Sequence, residues 1–137
     1  MTDNLALLSE YRSRRQAPAL IRPVLTEGLI ATWSANTDNT HYILRAGWEE
    51  MYGPESVRLL RRQGWIRLVH PADKLAAVGR MTRGRASGEP YMNQYRALLS
   101  GIYRPVAVLV FPVKDGTGRI IRWEGYNQRV DEKAVNF

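Results

Sequence analysis

The stretch that decides the fold covers residues 91–125 and reads YMNQYRALLSGIYRPVAVLVFPVKDGTGRIIRWEG. It contains three runs rich in β-branched and aromatic residues, at 91–99, 103–113 and 119–125. Ser100-Gly101 ends the first run, and Asp115 and Gly116 lie in the turn after the second. Connections this short leave no room for a crossover helix, so the strands are predicted to be antiparallel neighbours. The sequence therefore predicts a long β-meander whose apolar face other elements must cover.

The length and composition fit one domain. The chain has 137 residues and no cysteine, which excludes disulfides, thiolate metal sites and cysteine-based catalysis or photochemistry. No apolar run approaches the roughly 20 residues that span a bilayer, and the N-terminus lacks the pattern of a signal peptide. We expect a cytoplasmic protein. The chain begins with Met1 and stops at Phe137 with no effector segment after it, which favours a free-standing protein over a fragment of a longer sensor.

The net charge of +7 leaves association with nucleic acid open as one alternative. Arginines concentrate near residues 12–15, 58–62 and 80–85. No helix-turn-helix or zinc-finger spacing accompanies them. The pattern therefore favours a solvated basic surface over nucleic-acid binding.

The N-terminal residues 4–16 are predicted to form an amphipathic helix. Leu5, Leu8 and Tyr11 recur at three-residue spacing on one face. We expect this face, together with the outer face of the sheet, to form a homodimer surface. Residues 1–27 are accordingly predicted to be a helix and linker, 28–130 the main domain, and 131–137 a tail.

The segment 28–90 is predicted to supply two strands and several helices. Residues 28–35 and 41–44 form a hairpin, and short helices cover 46–52 and 54–63. In the sequence HPAD, His70 is predicted to cap a helix, and Asp73 lies in its first turn near the positive end of the dipole. A longer helix follows, with Leu75, Val78 and Met81 spaced by three. The order predicts an α+β fold: a five-stranded antiparallel sheet with short helices on one face, plus the N-terminal helix.

Six groups of residues then occur in a fixed order. They are ATWSA (31–35), GWEEMYG (47–53), HPAD (70–73), SGEP with QYR (87–90 and 94–96), GIYRP (101–105), and DGTGRI with WEG (115–120 and 123–125). In this order and spacing they resemble a PAS domain of the subgroup common in bacterial sensor proteins. The resemblance covers residues 28–133 and implies a sensory, signal-transducing module.

Three positions depart from the family pattern. A tryptophan is usual where Pro105 stands, an asparagine is frequent where Arg45 stands, and Arg129-Val130-Asp131 replaces a common Asp-Ile-Thr linker. Because proline cannot donate to a strand ladder, we expect the strand to be edge-like, frayed or bulged at Pro105.

The resemblance also implies a place for a small ligand, between the sheet and the longer helix. Large aromatic side chains with a polar tip suit an amphipathic ligand. The alternative is that the same side chains simply fill a core. The predicted pocket residues are Trp33, Tyr42, Met51, Tyr52, Trp65, Met81, Tyr95, Val108 and Trp123.

The residues give little support to catalysis or to a named cofactor. We find no nucleophile elbow, phosphate loop, paired carboxylates or metal-ligand cluster, so we predict no catalytic residue and no metal site. Haem ligation by His41 or His70 is not favoured, a cysteinyl flavin is excluded, and the cofactor stays unknown. A small-ligand enzyme using His70 or Tyr95 as acid or base remains an alternative. The leading hypothesis is a PAS-type module that binds a ligand or partner and signals through a homodimer or an effector such as a histidine kinase.

Overall fold

The computed structural model describes residues 30–130. The predicted N-terminal helix, with Leu5, Leu8 and Tyr11, and the predicted tail lie outside these residues. The elements in chain order are β1 (Ile30–Ala35), β2 (Tyr42–Leu44), α1 (Trp48–Tyr52), α2 (Pro54–Gln63), two 3-10 helices (Trp65–Leu68 and Pro71–Asp73), α3 (Lys74–Ser87), β3 (Tyr91–Leu99), β4 (Ile102–Lys114) and β5 (Ile120–Arg129).

The five strands form one antiparallel sheet in the order β2-β1-β5-β4-β3. β3, β4 and β5 are the predicted meander, and the hairpin of β1 and β2 joins it through β5. The α+β fold predicted from the sequence is confirmed. Within residues 30–130, no helix is long and apolar enough to cross a membrane.

The main core lies between the helices and the inner face of the sheet. Ala31, Trp33 and Ala35 of β1 alternate toward it and are buried, as period-two alternation requires. Trp33 pairs with Gly125 of β5. A Cβ atom on Gly125 would lie 2.1 Å from the Trp33 ring, so the glycine is what lets the indole lie across β5. A second cluster, which includes Leu109 and Tyr126, lies on the outer face.

The outer edge of β3, which has no neighbouring strand, is bonded to groups from the helical segment. The backbone N–H of Arg96 donates to the Asp73 carboxylate, and its carbonyl accepts from the His70 N–H. Farther along, the carbonyls of Gln94 and Leu98 accept from the side chains of Arg80 and Ser56, respectively. An edge strand whose backbone groups are bonded in this way does not template pairing with another chain.

One local expectation needs correction, and the expectation for Pro105 holds only in part. The stripe of Leu75, Val78 and Met81 does not form the buried face of α3, since Leu75 is 88% exposed. The buried positions of α3 are Ala77 and Gly84, and these small residues bring the helix close to the sheet.

Pro105 is not at a bulge. β4 runs through it, paired with Arg96 on the β3 side, and the irregularity of β4 lies at Val113 and Lys114 instead. Because the backbone groups of Arg96 bond outward, the nitrogen of Pro105 faces the β5 side. On that side the Val130 N–H donates to the Pro105 carbonyl at 3.3 Å, just beyond the last ladder pair, Val106 with Arg129. The proline therefore leaves out only the return bond to Val130, at the end of the β4–β5 ladder.

Candidate ligand-binding cavity

A cavity lies in the core between the inner face of the sheet and helices α2 and α3. Its volume, counted as space open to the centres of water-sized spheres, is about 50 Å³. One water needs roughly 10–15 Å³ on this measure, so the space holds a few water-sized groups or a small molecule. The lining is mainly aromatic and aliphatic: Trp33, Tyr42, Leu44, Trp48, Leu60, Trp65, Met81, Arg85, Tyr91, Asn93, Tyr95, Val108, Val110 and Asn127.

Six of the nine residues predicted for a pocket lie around this cavity, and three do not. Met51, Tyr52 and Trp123 are buried in the surrounding core and are absent from the lining. The six that line it are Trp33, Tyr42, Trp65, Met81, Tyr95 and Val108.

Asn127 connects two aromatic side chains at the floor of the cavity. Its Oδ1 accepts from the Trp33 Nε1–H at 2.8 Å, and its Nδ2 donates to the Tyr52 hydroxyl at 2.9 Å. All three side chains are buried. Burial raises the pKa of Tyr52 to about 12, although the bond from Asn127 acts in the opposite direction. The amide therefore holds the indole and the phenol in fixed orientations.

Asn93 fixes α3 against β3. Its Nδ2 donates to the Ala77 carbonyl at 2.9 Å, and its Oδ1 accepts from the Gln94 N–H at 2.9 Å. Tyr95, on the same face of β3, has its ring centroid 5.6 Å from that of Trp65, and burial raises its pKa well above the ordinary value. The hydrogen-bonding atoms of the Asn93 amide are thus already used within the protein.

Arg85 is the charged residue of the lining. Its Nε donates to the Tyr91 hydroxyl at 2.8 Å, and its guanidinium carbon lies 4.9 Å from the centre of the Trp123 ring. Its Nη1 atom is buried and has no hydrogen-bond partner. Burial raises the pKa of Tyr91, and the nearby Arg85 charge partly opposes that shift. Arg85 also acts on the hydroxyl of Tyr42, where it opposes the rise in pKa that burial causes. Nη1 is thus the guanidinium nitrogen that has no hydrogen-bond partner.

A close approach of α3 to β3 places Arg85 at this position. A Cβ atom on Gly84 would lie 2.2 Å from the Tyr91 ring. Gly84 thus lets the last turns of α3 rest directly on the tyrosine to which Arg85 donates. A larger residue at this position would push α3 away from the cavity.

A surface groove meets the cavity on the side of β2. It is lined by Asn39, Thr40, Arg61 and Gly64, together with four residues that also line the cavity: Tyr42, Leu44, Leu60 and Trp65. The groove therefore adjoins the cavity along these four side chains.

His70 and Asp73 lie away from the cavity, at the edge of β3. His70 is the N-cap of the 3-10 helix Pro71–Asp73, and its Nδ1 accepts from the Ala72 N–H at 3.0 Å. Asp73 lies in the first turn of that 3-10 helix and immediately precedes α3, as expected. Its carboxylate makes no cap bond to α3 and binds Arg96 instead. Of the two residues named for acid or base chemistry, Tyr95 lines the cavity and His70 does not.

The histidines do not reach the cavity. His41 lies in the loop between β1 and β2, within hydrogen-bonding distance of Asn36 and Thr40, and neither His41 nor His70 is among the lining residues. Across residues 30–130, no group of three or more carboxylates and histidines is placed to hold a metal ion.

Sequence reasoning missed several lining residues, above all Arg85, Asn93 and Asn127. The two asparagines occupy inward positions on strands, in register with Val108 of β4. A polar residue at an inward position of a largely apolar strand is the pattern that could have indicated Asn93 and Asn127. Arg85 gave no such signal, because an arginine near the end of a helix usually reaches solvent.

The fold is a small α+β domain with a cavity between its sheet and its helices. The family model described as "PAS fold" matches residues 43–127. The chain therefore belongs to the PAS family, a family of sensory domains, and the resemblance noted in the sequence is confirmed. No curated protein matches the chain.

Several solved structures share the fold. A domain of a protein described as a light and redox sensing histidine kinase from Haloarcula marismortui is 18% identical, with a TM-score of 0.60 over 77% of this chain and 93% of that one. The N-terminal domain of a diguanylate cyclase with a PAS/PAC sensor from Marinobacter aquaeolei is 22% identical, with a TM-score of 0.54 over 73% and 94%. A PAS domain from Colwellia psychrerythraea is 14% identical, with a TM-score of 0.58 over 93% and 98%.

Proposed function

We propose that this chain is a PAS sensory module that binds a small ligand in the aromatic cavity and relays its occupancy to a signalling partner. The observation that carries the proposal is the cavity itself, which leaves open space beside an arginine with unused donors. Largely apolar cavities with a few fixed polar groups are the usual form of small-molecule sites.

The cavity is built so that a ligand would act on α3 and the sheet at once. Asn93 and Tyr91 of β3 both bond to α3, through the Ala77 carbonyl and the Arg85 side chain. A ligand shifts a conformational equilibrium only if its affinity differs between two states. Two positions of α3 on β3 would give cavities of different shape, so a ligand would bind the two states with different affinity. The same movement would change the outer surface of the domain.

The relay runs through a homodimer or a separate effector. Leu5, Leu8 and Tyr11 form the proposed dimer surface together with the outer sheet face, as their spacing suggests. A histidine kinase is the proposed class of effector, in keeping with the description of the Haloarcula marismortui protein. The module acts in the cytoplasm of a bacterium and carries no catalysis of its own. Loss of residues 1–20 should disrupt the dimer in light scattering, and an unchanged dimer would refute this placement.

The ligand proposal is tested by filling the cavity. Val108→Phe adds a ring to a lining residue, whereas Ile121→Phe makes a similar change at a position that is 46% exposed. Native mass spectra of the full chain, compared with denatured masses, show a bound ligand, and a thermal-shift screen finds one that is lost in purification. Wild type and Ile121→Phe should bind, and Val108→Phe should not. The proposal fails if wild type binds nothing in either experiment, or if folded Val108→Phe binds equally well.

A further inference from the structure

We infer that the cavity selects a small monocarboxylate with an apolar body, and that Arg85 binds its carboxylate. The inference rests on the proposed ligand-binding function and names the class of ligand. The observation behind it is that Arg85 supplies the cavity with a positive charge that nothing in residues 30–130 neutralises.

The charge at the cavity favours an anionic ligand. Among the lining residues that the structure describes, Arg85 is the one that carries a charge, and no carboxylate within residues 30–130 forms an ion pair with it. Arginine keeps its proton under all ordinary conditions. A guanidinium at an apolar surface without a counter-charge is costly, and a bound carboxylate removes that cost.

The guanidinium is already oriented for this task. The bond to Tyr91 and the contact with the Trp123 ring fix its plane, while Nη1 is buried without a partner. A carboxylate has two oxygens that match two parallel N–H groups of a guanidinium. A side chain held in place before binding loses little conformational entropy when the ligand arrives.

The remaining lining limits the ligand to one charge and a small apolar body. Aliphatic groups and aromatic rings make up most of the lining, and the amides of Asn93 and Asn127 are committed to protein partners. The hydroxyls of the lining tyrosines are neutral. A second carboxylate, or the second charge of a phosphate, would meet no second positive charge among the described lining residues. The space of about 50 Å³ favours a short branched or aromatic acid over a long-chain one.

The groove that adjoins the cavity has the same charge preference. Arg61 lines the groove and is exposed, so an anion approaching the four shared side chains passes a cation first. Clefts lined with one sign of charge raise the local concentration of the opposite ion. Arg61 is thus expected to affect the association rate more than the final affinity.

The test compares each acid with its own amide, which has nearly the same shape and no charge. The probes are isobutyrate with isobutyramide and benzoate with benzamide, titrated calorimetrically into the full chain. At least one acid should bind ten to a hundred times more tightly than its amide, the range expected for a hydrogen-bonded charge pair. Arg85→Gln should abolish that preference, Arg85→Lys should retain part of it, and Arg83→Gln, at an exposed position of the same helix, should retain all of it.

The outcomes separate this inference from the proposed function. Amides that bind as tightly as their acids, or a folded Arg85→Gln that keeps the acid preference, would overturn the carboxylate inference and leave ligand binding intact. The carboxylate inference also fails, and ligand binding stands, if no acid binds to the wild type while an uncharged compound binds to the wild type and not to Val108→Phe. If neither acids nor any other screened compound binds, both fail. The comparison of acid with amide needs only wild-type protein, so it stands even if an Arg85 variant does not fold.

Discussion

The carboxylate of Asp73 binds Arg96 through three hydrogen bonds. It accepts two from the guanidinium, at 2.8 and 2.7 Å, and one from the backbone N–H of the same residue, at 2.9 Å. Asp73 immediately precedes α3, and Arg96 lies on the outermost strand. The pair therefore fixes the start of the helix that covers the cavity to the edge of the sheet.

We predict that Asp73→Asn lowers the free energy of unfolding by about 2 kcal/mol at neutral pH, because hydrogen bonds to charged groups contribute about 1.5–3 kcal/mol. The control, Glu50→Gln, removes an exposed carboxylate and should change the free energy of unfolding by less than about 0.5 kcal/mol. Urea unfolding of the three proteins measures both values. Equal stability of the two variants would show that the pair contributes nothing.

The same pair predicts an acid dependence. Hydrogen bonds from Arg96 hold the pKa of Asp73 below its ordinary value of 3.8. The unfolded chain then binds more protons than the folded one in this range, so the stabilisation is present above about pH 4 and is lost as the pH falls through the lowered pKa. The difference in stability between wild type and Asp73→Asn should therefore shrink below pH 4. A difference that stays constant down to pH 2 would contradict the assigned cause.

The contact of Gly125 with Trp33 predicts a large effect from one methyl group. In Gly125→Ala the new Cβ would overlap the indole, which lies 2.1 Å from that position. Overpacking of this kind costs about 1–3 kcal/mol. Gly116→Ala is the matched control, because nothing lies within 4 Å of its Cβ position. Thermal unfolding should show a lower midpoint for Gly125→Ala only, and an unchanged midpoint would mean that Trp33 moves aside freely.

The cap formed by His70 predicts a difference between two substitutions. His70→Asn keeps an acceptor for the Ala72 N–H, whereas His70→Ala leaves that donor without its side-chain partner. Both variants lose the ring contact with Tyr103, so the difference between them isolates the cap, which is worth about 1 kcal/mol. Denaturant unfolding measures it. Identical stabilities would remove the capping role, and a loss of ligand binding in His70→Asn would indicate a role in the site.

The fold could be predicted from local patterns, whereas the cavity could be predicted only in part. The strands of the meander are set by runs of Val and aromatic residues between Gly turns, and these signals act over a few residues. The cavity depends on how closely α3 approaches β3. That distance is set by Ala77 and Gly84 against Tyr91, whereas the spacing of larger apolar residues pointed to a different face containing Leu75.

Arg85 illustrates the limit most clearly. Its place in the cavity depends on Tyr91, six residues later, and on Trp123 of β5. No periodic pattern relates a helix end to those strand positions. Aromatic residues could be assigned to the inner face from alternation, but which of them border open space is decided by packing. Met51, Tyr52 and Trp123 therefore fill the core, although their residue types suit a pocket equally well.

The buried tyrosines predict a sharp loss of stability in alkali. Burial raises the pKa of Tyr52 from 10.0 to about 12 and that of Tyr95 well above 10.0. The folded state therefore keeps protons that the unfolded chain releases, so the stabilisation is complete below pH 10 and is lost as the pH rises toward 12. Tyr52→Phe should show a shallower decline over this interval, at the cost of the bond from Asn127, whereas Tyr103→Phe, at a 38% exposed position, should decline as wild type does. Urea unfolding between pH 9 and pH 12 measures these slopes, and a Tyr52→Phe slope equal to that of wild type would exclude Tyr52 as a source of the alkaline loss.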